Sequence, residues 1–359
     1  MKEFSCKTKI IFGSGAIGAL AQLGAKRLML VSDPFFVKSG VARKVAEAAK
    51  AEAYEIFDGV KPDPTVTLAA EGTARVKAFS PDLIAALGGG SAMDCAKAMA
   101  YFSGCDRLVA IPTTSGSGSE VTDFAILTHN GVKHPLVDSR LRPMAAILDD
   151  DLLAEMPSAL VADGGFDVLT HALEAFAAKN ATPITDALAL DAFCQVFDLL
   201  QSSFDGDVSV RPRIHIAATA AGLAFTHAGL GICHSLAHSL GGIFHVPHGR
   251  LNAILLPAVI RANEAAAGEK YAQIARAAGL GGSAKSLAVR GLLGGLSRLR
   301  AGLHLPATLA QAGIPPQDVA VHADAIIKAA LADPCCDTNP ADPSADMLRR
   351  ILQEVTGRG

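Results

Sequence analysis

The 359-residue chain contains no tryptophan and only three tyrosines, so it has few of the flat rings on which sugar- and base-stacking surfaces are built. No apolar run is long enough to span a bilayer without glycine, proline or charge interrupting it; abundant alanine and glycine account for its overall apolar character. There is no excess of positive charge. Lys+Arg 32 against Asp+Glu 35 leaves a formal net charge of -3, which offers no broad field for a nucleic-acid backbone or an anionic membrane. The seven cysteines lack paired or repeated spacing, and "MKEFSCKTKIIF" lacks the basic-then-apolar pattern of an export signal. A reducing, cytoplasmic compartment is therefore expected. Internal repeats and long low-complexity tracts are also missing; "ADPCCDTNPADPSAD" (332–346) reads as a Pro/Asp-rich loop that could border a site.

What is present falls into two textures. β-rich runs at 26–33, 53–60, 81–90 and 108–114 alternate with helical stretches at 37–50, 65–78 and 91–102, the pattern of a parallel sheet covered by helices. A short pair at 124–129 and 133–138, joined by the turn signal "HNG", and a further strand at 144–150 complete this part. Beyond Pro157 the predicted segments are all helical: 158–178, 183–201, 213–225, 229–241, 248–261, 268–278, 284–301, 321–331 and 344–356. The expected architecture is a Rossmann-like α/β nucleotide-binding domain over residues 1–157, followed by an all-helical domain over 158–359. The cleft between such domains is the default site.

Two loops in the first part suit a dinucleotide. "LIAALGGGSAMD" ends an apolar strand with Gly88, Gly89 and Gly90 and opens a helix at Ser91, where backbone N–H groups and the helix terminus favour a phosphate. Asp94, within that helix, joins the candidate cofactor set. A bare strand-to-helix turn would use the same glycines. The second loop, "IPTTSGSGSEVT", adds Thr113, Thr114 and Ser117 on a glycine-softened backbone, hydroxyls suited to a pyrophosphate and a ribose. Neither loop ends in the Gly-Lys-Ser/Thr of a P-loop. Asp33 ends another strand and either binds the adenosine ribose, disfavouring a 2′-phosphate, or caps the following helix. The GxGxxG at Gly13, Gly15 and Gly18 lacks an acidic residue at the usual distance and reads as a turn.

The helical part carries the second constellation. In "DGGFDVLTHALEAF", Asp167 and His171 stand four apart on one helix face; in "CHSLAHSLGGIFHVPHGR", His234 and His238 repeat that spacing and His248 follows a bend. One carboxylate and three imidazoles from Asp167, His171, His234 and His248 form a ligand set for Fe²⁺, Zn²⁺ or Mn²⁺. Ordinary core histidines with satisfied nitrogens are the competing reading. His238 is placed beside the metal, as a proton relay, a substrate hydrogen-bonding group or support for a ligand. His245 lines the pocket or lies on an exposed loop, and His215 and His227 read as ordinary helix residues. No thiol chemistry is assigned. Phe124, Phe166 and Phe244 hint at a small, apolar pocket, and equally read as core.

Together, "GGGS", "PTTSGSGSEVT", "DVLTHALEAF" and "GLGICHSLAHSLGGIFHVPHGRLNAILLP" closely resemble the iron-containing, or group III, alcohol dehydrogenases, which share a two-domain plan with the dehydroquinate-synthase-like enzymes. The resemblance covers nearly the whole chain. It implies an N-terminal NAD(P)-binding domain, a helical metal-binding domain, and interconversion of small primary alcohols and aldehydes. It implies NAD as cofactor with Asp33 as its marker, Fe²⁺ (or Zn²⁺) on Asp167, His171, His234 and His248, and His238 near substrate and nicotinamide. A homodimer or higher homo-oligomer is the natural expectation, with no nucleic-acid or membrane partner. Members that resemble this chain include propanol, butanol, lactaldehyde and ethanolamine-pathway alcohol dehydrogenases. Two departures stand out: Ser239 replaces a common proline, and Ala341 replaces the arginine of a common Asn-Pro-Arg. Two other classes remain open from sequence: a dehydroquinate-synthase-like, NAD- and metal-dependent lyase, and a non-catalytic nucleotide- or metal-binding assembly protein.

Overall fold

The structure is a computed structural model that describes residues 3–129 and 132–357. It divides into two compact units, one spanning Ser5–Met156 and the other running from Pro157 onward with Phe4 packed against it.

The first unit is built from β1 (Lys9–Gly13), β2 (Arg27–Ser32), α1 (Pro34–Lys38), α2 (Val41–Ala48), β3 (Ala53–Phe57), α3 (Val66–Phe79), β4 (Leu83–Gly88), α4 (Gly90–Ser103), β5 (Leu108–Pro112), β6 (Phe124–His129), β7 (Val132–Val137) and β8 (Ala145–Asp149). Six strands form one parallel sheet in the order β1-β8-β5-β4-β2-β3. Its inner strands are apolar along their whole length because both faces are covered. On β2, Leu28 and Leu30 join one buried cluster with α2, whereas Met29 and Val31 join a second with α3 and α4. Strand order reverses between β2 and β4: the chain leaves β2 for the edge strand β3 and returns to β4 on the other side. Such a reversal opens a crevice beyond the carboxyl ends of the two strands, the usual ligand position in open α/β sheets.

β6 and β7 pair antiparallel in a separate small sheet. Of the turn signal that joins them, Asn130 and Gly131 lie outside the described residues. The buried Lys97 of α4 fastens this region by donating to Ser119 Oγ, Thr122 O, Thr122 Oγ1 and Phe124 O at 2.8–3.1 Å. Loss of solvent lowers its pKa to about 8, against the pull of Asp94 and Glu120.

The second unit is helical throughout its described residues: α5 (Ser158–Ala177), α6 (Pro183–Phe204), α7 (Arg211–Ala228), α8 (Ile232–Phe244), α9 (His248–Ala277), α10 (Lys285–Gly302), α11 (Pro316–Ala332) and α12 (Ala345–Thr356). Among the described residues, no single helix is long and apolar enough to cross a membrane. Two expectations need correction. The expected helices 248–261 and 268–278 are one 30-residue helix, His248–Ala277, which continues through Pro257, since the intervening "ANEAAA" is rich in helix formers. Conversely, 37–50 is two short helices broken at Gly40, whose φ of 81° ends the first.

The helix α5 is nearly enclosed, with sixteen of its residues buried, including Asp163, Asp167, His171 and Glu174. These four polar groups recur at helical spacing and form a stripe in an otherwise apolar helix. The stripe faces α9 at close range. A Cβ on Gly249 would lie 1.9 Å from Asp163 O, so only glycine permits this approach.

Candidate functional site

Two groups of chemistry-bearing residues emerge, one in each unit. In the first, register places Gly88 opposite Pro112, and Thr113 N–H donates to Gly88 O at 3.0 Å, so the two loops lie side by side. A Cβ on Gly89 would stand 3.0 Å from Thr114 Oγ1 and one on Gly90 would stand 3.2 Å from Ser117 Oγ. The helix α4 starts at Gly90 with Gly89 as N-cap, and no side chain caps it. Bare N–H groups at a helix start, flanked by hydroxyls, suit a pyrophosphate. Ser91 lies in that first turn, half-buried. Gly88 itself adopts a φ of 147°, and a side chain there would meet Ala92 Cβ at 2.8 Å.

Asp33 follows β2 at the point where strand order reverses. Its Oδ1 accepts from Phe35 N–H at 2.8 Å and Phe36 N–H at 3.3 Å, making it the N-cap of α1. Its Oδ2 turns toward Gly88, 3.7 Å from where a Cβ would stand. The cap therefore occupies one oxygen of the carboxylate and leaves the other turned toward the glycine loop. Asp94 faces inward: its Oδ1 accepts from Ser119 Oγ at 3.1 Å, and loss of solvent pushes its pKa up to about 6 although Lys97 opposes this. That environment makes Asp94 an internal brace of the loop. The GxGxxG region forms a 3-10 helix, Ala16–Leu23, whose Ile17 N–H donates to Asp149 Oδ2 at 2.8 Å.

In the helical unit, α5, α8 and α9 bring the expected ligand set together. The Nε2 atoms of His248, His234 and His171 stand 3.5, 3.7 and 4.0 Å from Asp167 Oδ1. Oδ1 is thus ringed by imidazole nitrogens beyond ordinary hydrogen-bond distance. A tetrahedral ion with bonds of about 2.1 Å would separate its ligands by roughly 3.4 Å, so these spacings suit edges of a coordination sphere. Donor atoms of Asp167, His234 and His248 all lie within 4.8 Å of one another. His171 stands slightly outside that group, stacked on His234 at 4.4 Å between centroids and on Phe225 at the same distance. Burial opposes charge on Asp167, but the surrounding imidazoles hold its carboxyl well below the usual carboxylate range. His234 behaves conversely: burial lowers its pKa, yet the negative charge of Asp167 and the hydrogen bond and charge of Glu174 push it up to about 9. The residues fit a divalent cation, which would supply positive charge beside this buried carboxylate.

His238 does not point at Asp167. Its ring stacks on His248 at 5.1 Å and its Nδ1 lies 2.8 Å from Asp333 Oδ2, so it sits beside the cluster. The side chains of His248 and His238 are 28% and 23% exposed, against 1% for His234, which makes their side the open one. His245 is an exposed helix end with φ 55°; His227 packs on Phe4 and its Nδ1 lies 2.9 Å from Leu223 O. Phe166 is wholly buried core, Phe124 packs over Lys97, and Phe244 meets His322 edge-on.

Several neighbours of this site were not singled out from sequence. Asn252, fully buried, donates from Nδ2 to Asp167 Oδ1 at 2.8 Å and approaches His248 Nε2 and His234 Nε2 at 3.2 and 3.4 Å. Arg250 grips Asp163 through two hydrogen bonds of 3.2 and 3.0 Å. Glu174 lies against His234, and Asp333 against His238. Helical spacing held part of this signal: Glu174 follows His171 by three residues and Asn252 follows His248 by four.

Comparison with known proteins agrees with both halves. Residues 7–150 match the family model "Iron-containing alcohol dehydrogenase", and residues 161–356 match "Fe-containing alcohol dehydrogenase family, C-terminal". The chain is 38% identical to the 1-propanol dehydrogenase PduQ of Salmonella typhimurium over 99% of this chain and 100% of that protein. It is 36% identical to an NADPH-dependent butanol dehydrogenase of Clostridium saccharobutylicum, covering 99% and 98% of the two chains. Among solved structures, a 1,3-propanediol oxidoreductase superposes with a TM-score of 0.93 at 32% identity, over 99% of this chain and 100% of the other. An iron-containing alcohol dehydrogenase from Thermococcus thioreducens gives 0.91 at 31% identity, over 98% and 99%. With both units matched end to end, the chain belongs to the iron-containing alcohol dehydrogenase family.

Proposed function

We propose that the protein is a metal-dependent, NAD(H)-linked oxidoreductase that interconverts a small primary alcohol and its aldehyde. Residues 1–157 serve as the NAD-binding domain and residues 158–359 as the metal- and substrate-binding domain. The observation that carries this reading is the convergence of His171, His234 and His248 on one oxygen of Asp167, at 3.5–4.0 Å. Asp167, His171, His234 and His248 hold the cation, with Fe²⁺ the expected occupant and Zn²⁺ compatible with the same donors. When bound, the cation supplies Lewis-acid polarisation of the substrate oxygen, and the nicotinamide gives or takes the hydride.

The remaining work falls to side chains. Gly88, Gly89, Gly90 and Ser91 receive the pyrophosphate at the start of α4, and Thr113, Thr114 and Ser117 supply hydroxyls from the adjoining loop. Asp33 favours NAD by repelling a 2′-phosphate, and Asp94 braces the loop from within. During alcohol oxidation the hydroxyl proton passes to His238, whose ring is oriented by Asp333; during reduction it returns by the same route. The open side at His248 and His238 admits substrate.

An anaerobic, metal-reconstituted assay across short alcohols and aldehydes, with NADH and NADPH compared, tests the proposal. Aldehyde-dependent NADH oxidation with a higher kcat/KM than with NADPH is expected. Metal-loaded protein that turns over no aldehyde with either cofactor would overturn it.

A further inference from the structure

We propose that Glu174 is a positioning residue that fixes His234 in the tautomer able to bind a cation, while holding the first turn of α8 that carries it. The inference rests on the metal reading above. Glu174 Oε2 lies 2.6 Å from His234 Nδ1, and its Oε1 accepts from Cys233 N–H at 2.7 Å. Both carboxylate oxygens thus face adjacent residues of one helix turn, and one of those partners, the peptide N–H, is always a donor. The carboxylate at Oε2 keeps a proton on His234 Nδ1, so Nε2 is the nitrogen that gives up its proton to a cation. An independent contact agrees: Asn252 Nδ2, which carries only donors, lies 3.4 Å from that Nε2.

The surroundings keep Glu174 in this role. Asn339 Oδ1, from the segment after α11, accepts from the neighbouring Ile232 N–H at 3.2 Å, so the first N–H groups of α8 are held from two directions. Asn339 is itself fixed by reciprocal bonds with Asn263 at 3.0 and 2.9 Å. At the helix start, a Cβ on Gly231 would stand 2.7 Å from Glu174 Oε1 and 2.8 Å from Asn339 Oδ1, so glycine leaves room for both acceptors. A carboxylate is required because it accepts on both oxygens. An amide of equal size accepts on one and donates on the other, so it can keep the helix bond or the Nδ1–H tautomer, but not both. Carboxylates that orient metal-binding histidines in this way typically contribute about 10–100-fold in metal affinity.

The experiment titrates Co²⁺ into the metal-free full chain and follows bound metal, its release to a chelator, and thermal stability. Glu174→Gln is expected to weaken Co²⁺ binding by about 10–100-fold. In the His234→Ala background the same substitution should weaken it far less, because Glu174 acts through that ring. Equal losses in both backgrounds would show a merely structural role and overturn the proposal, as would unchanged affinity in Glu174→Gln. Wild type that binds no Co²⁺ would instead refute the metal reading. If Glu174→Gln does not fold, nitrogen NMR of the Zn²⁺-loaded wild type decides: a protected His234 Nδ1–H is expected, and a ring protonated on Nε2 would overturn the inference.

Discussion

His238 and Asp333 form a hydrogen-bonded dyad, Nδ1 to Oδ2 at 2.8 Å, across 95 residues of chain. The other oxygen, Oδ1, accepts from Cys335 N–H at 2.8 Å, which anchors the carboxylate to the short 3-10 turn Pro334–Thr338. The Pro/Asp-rich segment thus supplies the group that orients His238. Replacing His238 with Ala should lower kcat by about 10²-fold with metal content unchanged. Asp333→Asn should give a smaller loss with the same metal content. A pH–rate profile and elemental analysis check both; full activity of His238→Ala at every pH would remove the relay.

The same dyad has a signature in acid. Burial works against the charge of Asp333, but the hydrogen bond and charge of His238 and the Cys335 N–H hold its pKa down at about 2. Its native value lies below the unfolded value of about 3.9, so the stabilisation is present above that unfolded value and is lost as pH falls toward the native one. Denaturant titrations should show wild type losing its advantage over Asp333→Asn across that window. Parallel pH curves for the two proteins would contradict this.

Metal retention should follow the donor set. Asp167→Asn removes the only negative charge among the four proposed ligands, and His171→Ala removes the ring that stacks on His234. After dialysis against a chelator and remetallation, Asp167→Asn should retain the least iron and His171→Ala an intermediate amount, each with a parallel loss of activity. Stoichiometric, tightly held metal in Asp167→Asn would place the cation elsewhere.

Gly249 links helix packing to the site. An added methyl would collide with the backbone of Asp163, which cannot yield as a side chain can. Gly249→Ala should destabilise the protein by about 3 kcal/mol. Because His248 and Arg250 flank it, metal should also be lost more readily. Chemical denaturation and chelator-release rates provide the measurements.

Cofactor choice should respond to Asp33. Asn at this position keeps an oxygen to cap α1 while removing the charge. Asp33→Asn should raise the NADPH:NADH ratio of kcat/KM by about tenfold or more, since relieving charge repulsion at close range is worth on the order of 1 kcal/mol or more. An unchanged ratio would leave Asp33 with capping alone.

The two-layer texture and the ligand spacing were legible in the chain itself. Short, nearly continuous apolar runs alternating with helical stretches marked the parallel strands, and pairs four apart placed Asp167 with His171 and His234 with His238 on common helix faces. Where local reasoning misjudged an element, the physical cause was context: the break expected at 262–267 is helical, because strong helix formers fill it and α9 is buried along much of its length. Asp33 posed a choice between cap and ribose ligand that depended on which way each oxygen turned.

The amino-acid order determined the identity of each element and the faces it presents, because backbone geometry repeats at fixed intervals. Only the folded chain decided which faces meet. The pairing of Glu174 with His234 spans 60 residues, Asn252 with Asp167 spans 85, and His238 with Asp333 spans 95. No local period encodes such distances; the first two follow from how closely α5, α8 and α9 pack, which glycines at 231 and 249 permit by leaving space where any side chain would collide, and the third from the seating of the segment after α11 against α8.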